Sequence, residues 1–261
     1  MTTVYTFVNQ KGGVGKTTTV ISLGAYLAKL GQRVLLVDID PQANATACLG
    51  IHHAEVEQSI YHSLIGDIPA SEVILQSRRL NLSLLPSAAA LAGAQIELID
   101  MPEREHALRR TLEPVLSRYD YILVDCPPSL GLLTLNGLLA ATDGVIIPVQ
   151  CEYLALEGLT SLMNTLKRVQ TGLYPGLKIR GLVLTMFDTR TNLSRDVVAE
   201  IQKHFSTQVF RAIIPRNVRL AEAPSHGLPI SAYAPQSPGA LSYQALALEI
   251  LEADQASASL K

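Results

Sequence analysis

One α/β domain, with a twisted and mostly parallel sheet covered by helices on both faces, is what this sequence predicts. Three observations lead there. Short, nearly continuous apolar runs alternate with longer helical stretches, the pattern of strands buried on both faces of a sheet. A glycine-rich turn separates the first apolar run from the first helical one. The 261 residues suffice for one large buried core, and neither an internal repeat nor a long linker divides them.

The elements run in order along the chain. Residues 3–8 (Thr-Val-Tyr-Thr-Phe-Val) read as the first strand and 17–30 as the first helix. Residues 33–38 (Arg-Val-Leu-Leu-Val-Asp) form a second buried strand, and 80–85 a shorter one. Helices are expected at 88–99 and 103–117, then a strand at 121–125 and a helix at 132–141. Strands at 144–149 and 179–186 flank a helix at 156–171. A helix at 194–204, a short strand at 209–214 and a helix at 239–253 complete the set. The domain then takes residues 1–254, and the Ser/Ala-rich tail 255–261 is expected to fray.

The chemistry starts at residues 11–18, Lys11-Gly12-Gly13-Val14-Gly15-Lys16-Thr17-Thr18. Strand, glycine loop and helix are the context of a phosphate-binding loop. Glycines let backbone N–H groups point inward around a phosphate, and the helix N-terminus adds roughly half a positive charge. Lys16 is placed to reach the β- and γ-phosphates, and Thr17 offers a hydroxyl to Mg²⁺. The usual pattern Gly-x-x-x-x-Gly-Lys-Ser/Thr would put its first glycine at Gln10, so this loop departs from it. In exchange it carries Lys11, for which the sequence suggests no partner within the chain. In the run from Tyr119 to Asp125 four hydrophobic residues, Tyr121 to Val124, precede an acid, and Pro127 and Pro128 stiffen the turn after it. Asp125 at its tip suits Mg²⁺, held through water. Asp38-Ile39-Asp40-Pro41-Gln42 puts two carboxylates at the end of the second strand, where ligands of open α/β sheets bind.

Lys11-Gly12-Gly13-x-Gly15-Lys16-Thr17-Thr18 resembles the deviant Walker A loop of the ParA/MinD ATPases. The segment 38–42 matches the Asp-x-Asp-Pro-Gln motif of the ParA group, and the likeness extends from Phe7 to about Tyr243. The resemblance implies a P-loop ATPase that uses ATP, releases ADP and requires Mg²⁺. It implies that Lys11 crosses a dimer interface to the partner's nucleotide, that Asp40 positions or deprotonates the attacking water with help from Gln42, and that Pro215 and Asn217 contact adenine. An N-cap role for Asn217 is compatible with that contact. It further implies an ATP-dependent homodimer that binds double-stranded DNA non-specifically through Arg190 and Arg219, a ParB-like partner, and a cytoplasmic, nucleoid-associated place of action.

Bulk charge does not advertise nucleic acid: the formal net charge is −2 and the pI about 6.3. Its distribution does. Between Lys167 and Arg219 stand ten Lys/Arg against Asp188, Asp196 and Glu200, ten minus three giving +7. Little aromatic interleaving accompanies them, so the expected contacts are to backbone phosphate rather than to bases. Cys48, Cys126 and Cys151 lie far apart, against a disulfide or zinc framework and for a reducing compartment. The start of the chain has no signal-peptide pattern. The longest apolar candidate, 130–149, is broken by Asn136, Asp143 and Gly144, so no membrane span is expected. A MinD-like membrane ATPase would need a basic amphipathic last helix, but residues 241–261 carry Glu249, Glu252 and Asp254 with Lys261 the sole cation. The same switch could also serve another cargo or regulate gene expression.

Overall fold

The structure, a computed structural model, describes residues 2–52 and 55–259, with the side chain of Gln95 left aside. A single seven-stranded sheet runs through it in the order β3-β4-β2-β5-β1-β6-β7. The strands are β1 (Thr3–Phe7), β2 (Val34–Asp38), β3 (Leu75–Ser77), β4 (Leu82–Leu85), β5 (Tyr121–Asp125), β6 (Gly144–Gln150) and β7 (Ile179–Thr185). All neighbouring pairs are parallel except β3 with β4. The expected fold class is therefore observed, with β1 between β5 and β6.

Alternation along the strands explains why both faces are covered. In β2, Leu35 and Val37 join one core while Val34 and Leu36 join the other. In β5, Ile122 and Val124 face the first core, and Tyr121 and Leu123 the second. Each side chain that is apolar and fully buried contributes about 1.5–3 kcal/mol, so neither face tolerates solvent. The second core is capped by α1 (Lys16–Lys29) and α12 (Pro238–Ala258), which pack together through Tyr26, Leu27, Tyr243 and Leu246 among others. The first is covered by α5 (Leu91–Glu97), α6 (Ala107–Leu112), α7 (Leu132–Ala140), α8 (Ala155–Gly172) and α9 (Asn192–His204). Short helices α2 (Asn44–Cys48), α3 (Ile60–Leu64), α4 (Ala70–Val73), α10 (Val218–Glu222) and α11 (Ile230–Tyr233) fill the connections. No described helix is long and apolar enough to cross a membrane.

Three elements depart from the sequence expectation, each for a local reason. The stretch 103–117 is not one helix: a 3-10 turn at Arg104–His106 precedes α6, and another at Glu113–Arg118 follows it. Pro114 has no N–H for a continuing ladder. The segment 209–214 makes only isolated bridges, Leu182 with Val209 and Phe187 with Pro215. Between them the Glu249 carboxylate accepts from the backbone N–H of Arg211 at 2.9 Å and of Ala212 at 3.1 Å, taking the donors a strand would use. Finally, α12 runs to Ala258, so residues 255–258 are helical where a frayed tail is expected, and residues 260 and 261 lie outside the described part.

Candidate functional site

The carboxyl ends of β1, β2, β5 and β7 converge on one crevice, and the glycine loop closes it. Asn9 fastens the loop from two sides. Its Oδ1 accepts from the Lys11 backbone N–H at 3.0 Å, and its Nδ2 donates to the Pro148 carbonyl at 2.8 Å. At the other edge Thr185 Oγ1 donates to the Val14 carbonyl at 2.8 Å. Gly13 and Gly15 adopt φ of 74° and 88°, where a side chain would be strained, so the loop can wrap inward. Gly15 stands at the N-terminus of α1, which has no side-chain cap and no acid in its first turn. The orphan N–H groups of that turn make a ready anion site.

Lys16, in that first turn, is 7% exposed. Burial lowers its pKa, while Asp125, Cys126 and Asp40 pull it back up. Thr17 donates from Oγ1 to Asp125 Oδ2 at 2.7 Å. Asp125 is fully buried, and its other oxygen, Oδ1, has no hydrogen-bond partner. Burial first, and then the charge of Asp38, pushes its carboxyl up to about 8. Asp38 is equally buried and is pushed up to about 6 by the same loss of water. An unpartnered carboxylate oxygen beside a threonine hydroxyl fits a divalent cation, which would restore the ionised form. No group of three or more His, Cys, Asp or Glu among the described residues encloses a metal. Mg²⁺ takes one or two protein ligands and completes its shell with water and substrate phosphate.

Asp40 belongs to the same electrostatic group, close enough to act on both Lys16 and Asp125. Its Oδ1 accepts from the Gln42 backbone N–H at 2.9 Å, so Gln42 supports the carboxylate through its main chain. On the far side of the loop, Pro215 and Asn217 line a cavity of about 220 Å³ together with Gly15, Thr18 and Met186. Asn217 Oδ1 caps α10 by accepting from Arg219 N–H at 2.9 Å, leaving its amide group to spare. Met186 is held at φ 53°, an uncommon backbone for a residue with a side chain. A larger cavity, about 810 Å³, lies elsewhere, lined by Ile96, Leu130, Leu135 and Val169 among others, and includes no residue of the loop.

Two expectations change. Lys11 has a partner: its Nζ lies 3.4 Å from Glu152 Oε2, and Glu152 Oε1 also takes Arg216 at 3.3 Å and the Gln150 amide. The run from Lys167 to Arg219 is not a +7 patch in space. Arg180, Arg211, Arg216 and Arg219 pair with Asp254, Glu249, Glu152 and Glu222, acids outside the run, and Arg190 pairs with Asp188. Arg190 and Arg219 remain 82% and 58% exposed. The fold adds Asn9, Thr185, Met186 and Glu152 to the residues that the motifs point to. Of these four, only Asn9, next to the loop, sits where local inspection of the sequence could find it.

A family model described as an AAA domain matches residues 2–179. Over 247 residues the chain is 55% identical to sporulation initiation inhibitor protein Soj of Bacillus subtilis (strain 168), an alignment covering 95% of this chain and 97% of that one. It is 53% identical over 248 residues to chromosome-partitioning ATPase Soj of Treponema pallidum (strain Nichols), covering 95% and 96%. Among solved structures, cobyrinic acid a,c-diamide synthase from Mycobacterium smegmatis with bound ADP and magnesium superposes with a TM-score of 0.87 at 39% identity, covering 98% and 97%. Identity above one half, sustained over nearly the whole of two Soj proteins, means that the chain belongs to the Soj/ParA family of P-loop ATPases.

Proposed function

We propose that this chain is a nucleotide-switched DNA-partitioning ATPase. Its ATP form is a sandwich dimer that holds double-stranded DNA without regard to sequence, and hydrolysis stimulated by a ParB-like partner resets it. The observation that carries this reading is the unequal placement of the two loop lysines. Lys16 is buried among its own acids, whereas Lys11 is 39% exposed on the rim, tied by one surface pair. Such a pair is worth about 0–1 kcal/mol, so Lys11 can exchange Glu152 for a phosphate on a second subunit.

The remaining roles follow from position. Backbone N–H groups of Gly12, Gly13, Val14, Gly15 and Thr18 cradle the phosphates, and Lys16 reaches the terminal ones. Thr17 and Asp125 would hold Mg²⁺, which when bound neutralises phosphate charge. Asp40 orients the attacking water and accepts its proton. Pro215 packs on adenine, and the free amide of Asn217 donates to it. Arg190, Arg195, Arg216 and Arg219 lie at the carboxyl end of the sheet, the end that holds the nucleotide. One subunit's few phosphate contacts give weak binding, about 10⁻⁴–10⁻⁶ M. Two such sets on one rigid dimer bind with roughly millimolar effective concentration for the second. Dimerisation thereby switches DNA binding on, and the protein acts in the cytoplasm on the nucleoid.

The name of the Bacillus relative speaks of sporulation, which favours a second reading: the same switch controlling gene expression or another cargo. Sedimentation with a non-hydrolysable ATP analogue tests the switch itself. Wild type should dimerise and Lys11→Ala should stay monomeric while still binding nucleotide; a dimer of Lys11→Ala would reduce Lys11 to a surface charge. Stimulation of turnover by a ParB-type protein separates the partition reading from the second one.

A further inference from the structure

A closed ring of buried hydrogen bonds lies behind Asp40, and none of its side chains contacts phosphate, metal or adenine in the proposed mechanism. Asp38, at the end of β2, accepts at Oδ1 from the Asp40 backbone N–H at 3.1 Å. Its Oδ2 accepts from Thr46 twice, from the backbone N–H at 2.9 Å and from Oγ1 at 2.8 Å. Thr46 Oγ1 in turn accepts from the Ser87 backbone N–H at 3.0 Å. Ser87 Oγ donates to the Asp40 carbonyl at 2.7 Å, which closes the circuit. Asp38, Thr46 and Ser87 are all 0% exposed.

The ring solves a specific problem. Residues 39–43 must leave a strand, present a carboxylate and enter α2 within a few residues. Ala43 takes φ 49°, an unfavourable backbone for a residue with a Cβ. Such a turn persists only when its surroundings over-determine it. The ring does so from three elements, β2, α2 and the segment after β4 that brings Ser87. A polar network with every member satisfied is rigid and mutually reinforcing. Water activation needs a carboxylate held to within about 0.5 Å.

We infer that Asp38, Thr46 and Ser87 are positioning residues for hydrolysis, with Ser87 the tie that fixes the Asp40 loop to the sheet. The inference rests on the proposed role of Asp40 and concerns turnover, not nucleotide binding. Ser87→Ala removes one donor, and the Asp40 carbonyl keeps the Ala43 N–H at 2.8 Å, so this variant should fold. Thr46→Val removes the hydroxyl at nearly constant shape, and Thr46→Ser keeps it.

The experiment measures steady-state ATPase, ATP affinity by calorimetry and thermal melting for these three variants and for Asp40→Ala. Ser87→Ala and Thr46→Val should lower kcat about ten- to a hundredfold, the scale of a catalytic group displaced by a fraction of an ångström to one ångström, with ATP affinity at the wild-type level. Thr46→Ser should recover most of the loss. Should Thr46→Val fail to fold, Ser87→Ala decides alone. Wild-type kcat in folded Ser87→Ala, with Asp40→Ala inactive, overturns the inference. So does a loss of ATP affinity that parallels the loss of kcat, since the ring would then hold the whole site. Wild-type turnover in Asp40→Ala overturns instead the reading beneath it, and that variant tells the two failures apart.

Discussion

Two carboxylates, the fully buried Asp125 and the partly buried Asp254, sit at opposite ends of the same sheet and are treated in opposite ways. At the amino end, Asp254 of α12 accepts from Tyr5 at 2.7 Å, Tyr121 at 3.0 Å and Arg180 at 3.0 Å. Both its oxygens are occupied and its charge is neutralised by a guanidinium. At the carboxyl end, Asp125 has a single donor, Thr17, and one oxygen with none. Lys16, which supplies it with counter-charge, is itself shared with Asp40. The first arrangement is complete and fastens a helix to a sheet. The second is incomplete, and burial drives its carboxyl towards the neutral form. An unsatisfied buried group is expensive, and at this end of the sheet it supports the proposed Mg²⁺ site.

That contrast breaks most visibly at Lys16. Lys16→Ala should lower ATP affinity by about a hundredfold or more, the worth of a charge-assisted contact of roughly 3 kcal/mol. Calorimetry showing near wild-type affinity would remove the phosphate role. Asp40→Ala should bind ATP normally but lose turnover by about a hundredfold or more, as expected for a group acting on the water. Its ATP form should then accumulate as a dimer, and unchanged steady-state ATPase would count against the assignment.

The complete end should answer in the other currency, stability. Asp254→Ala strips acceptors from two tyrosines and leaves Arg180 half-buried without its partner. The pair is 17% and 22% exposed, so the loss should be below that of a fully buried pair, about 2–3 kcal/mol. A fall of roughly 4–10 °C in melting temperature should follow for a domain of this size, with ATP affinity unchanged. If Asp254→Ala instead weakened nucleotide binding at an unchanged melting temperature, the division between the two ends would fail.

Legibility in the sequence differs between these ends for the same physical reason. Lys11 to Thr18, Asp38 to Gln42 and Tyr121 to Asp125 are contiguous motifs in which spacing itself encodes the chemistry, so the crevice is legible. The partners that complete it come from far along the chain. Glu152 meets Lys11 across 141 positions, and Ser87 meets Asp40 across 47. Neither residue type nor spacing announces such a pairing. The acids of the last helix show the same limit. In the sequence Asp254 and Glu249 count only as acids against a basic last helix, yet one anchors the sheet and the other converts an expected strand at 209–214 into a bridged coil. Charge summed along a run misleads likewise, because the acids that neutralise it lie outside the run.

The finest test of the comparison concerns charges that are paired but exposed. Arg219 lies 2.8 Å from Glu222, and Arg190 lies 2.6 Å from Asp188. Both pairs are on the surface, where water and salt screen them, so each holds its partner only weakly. A DNA phosphate can displace such a partner, whereas it could not displace Asp254 from Arg180. If each arginine meets one phosphate per subunit, a dimer neutralises about four, and the slope of log K against log salt should be near −3.6 at roughly −0.9 per phosphate. Arg219→Ala removes two contacts from a dimer and should reduce that magnitude by about 1.8. It should leave melting temperature, ATP affinity and dimerisation intact, because Arg219 supports nothing in the core. An unchanged slope in a verified Arg219→Ala dimer would move the DNA face to other cations at this end, Arg195 and Arg216. Strong binding by the ADP form would break the coupling itself, since the exchange of Lys11 from Glu152 to a second subunit would then have nothing to switch.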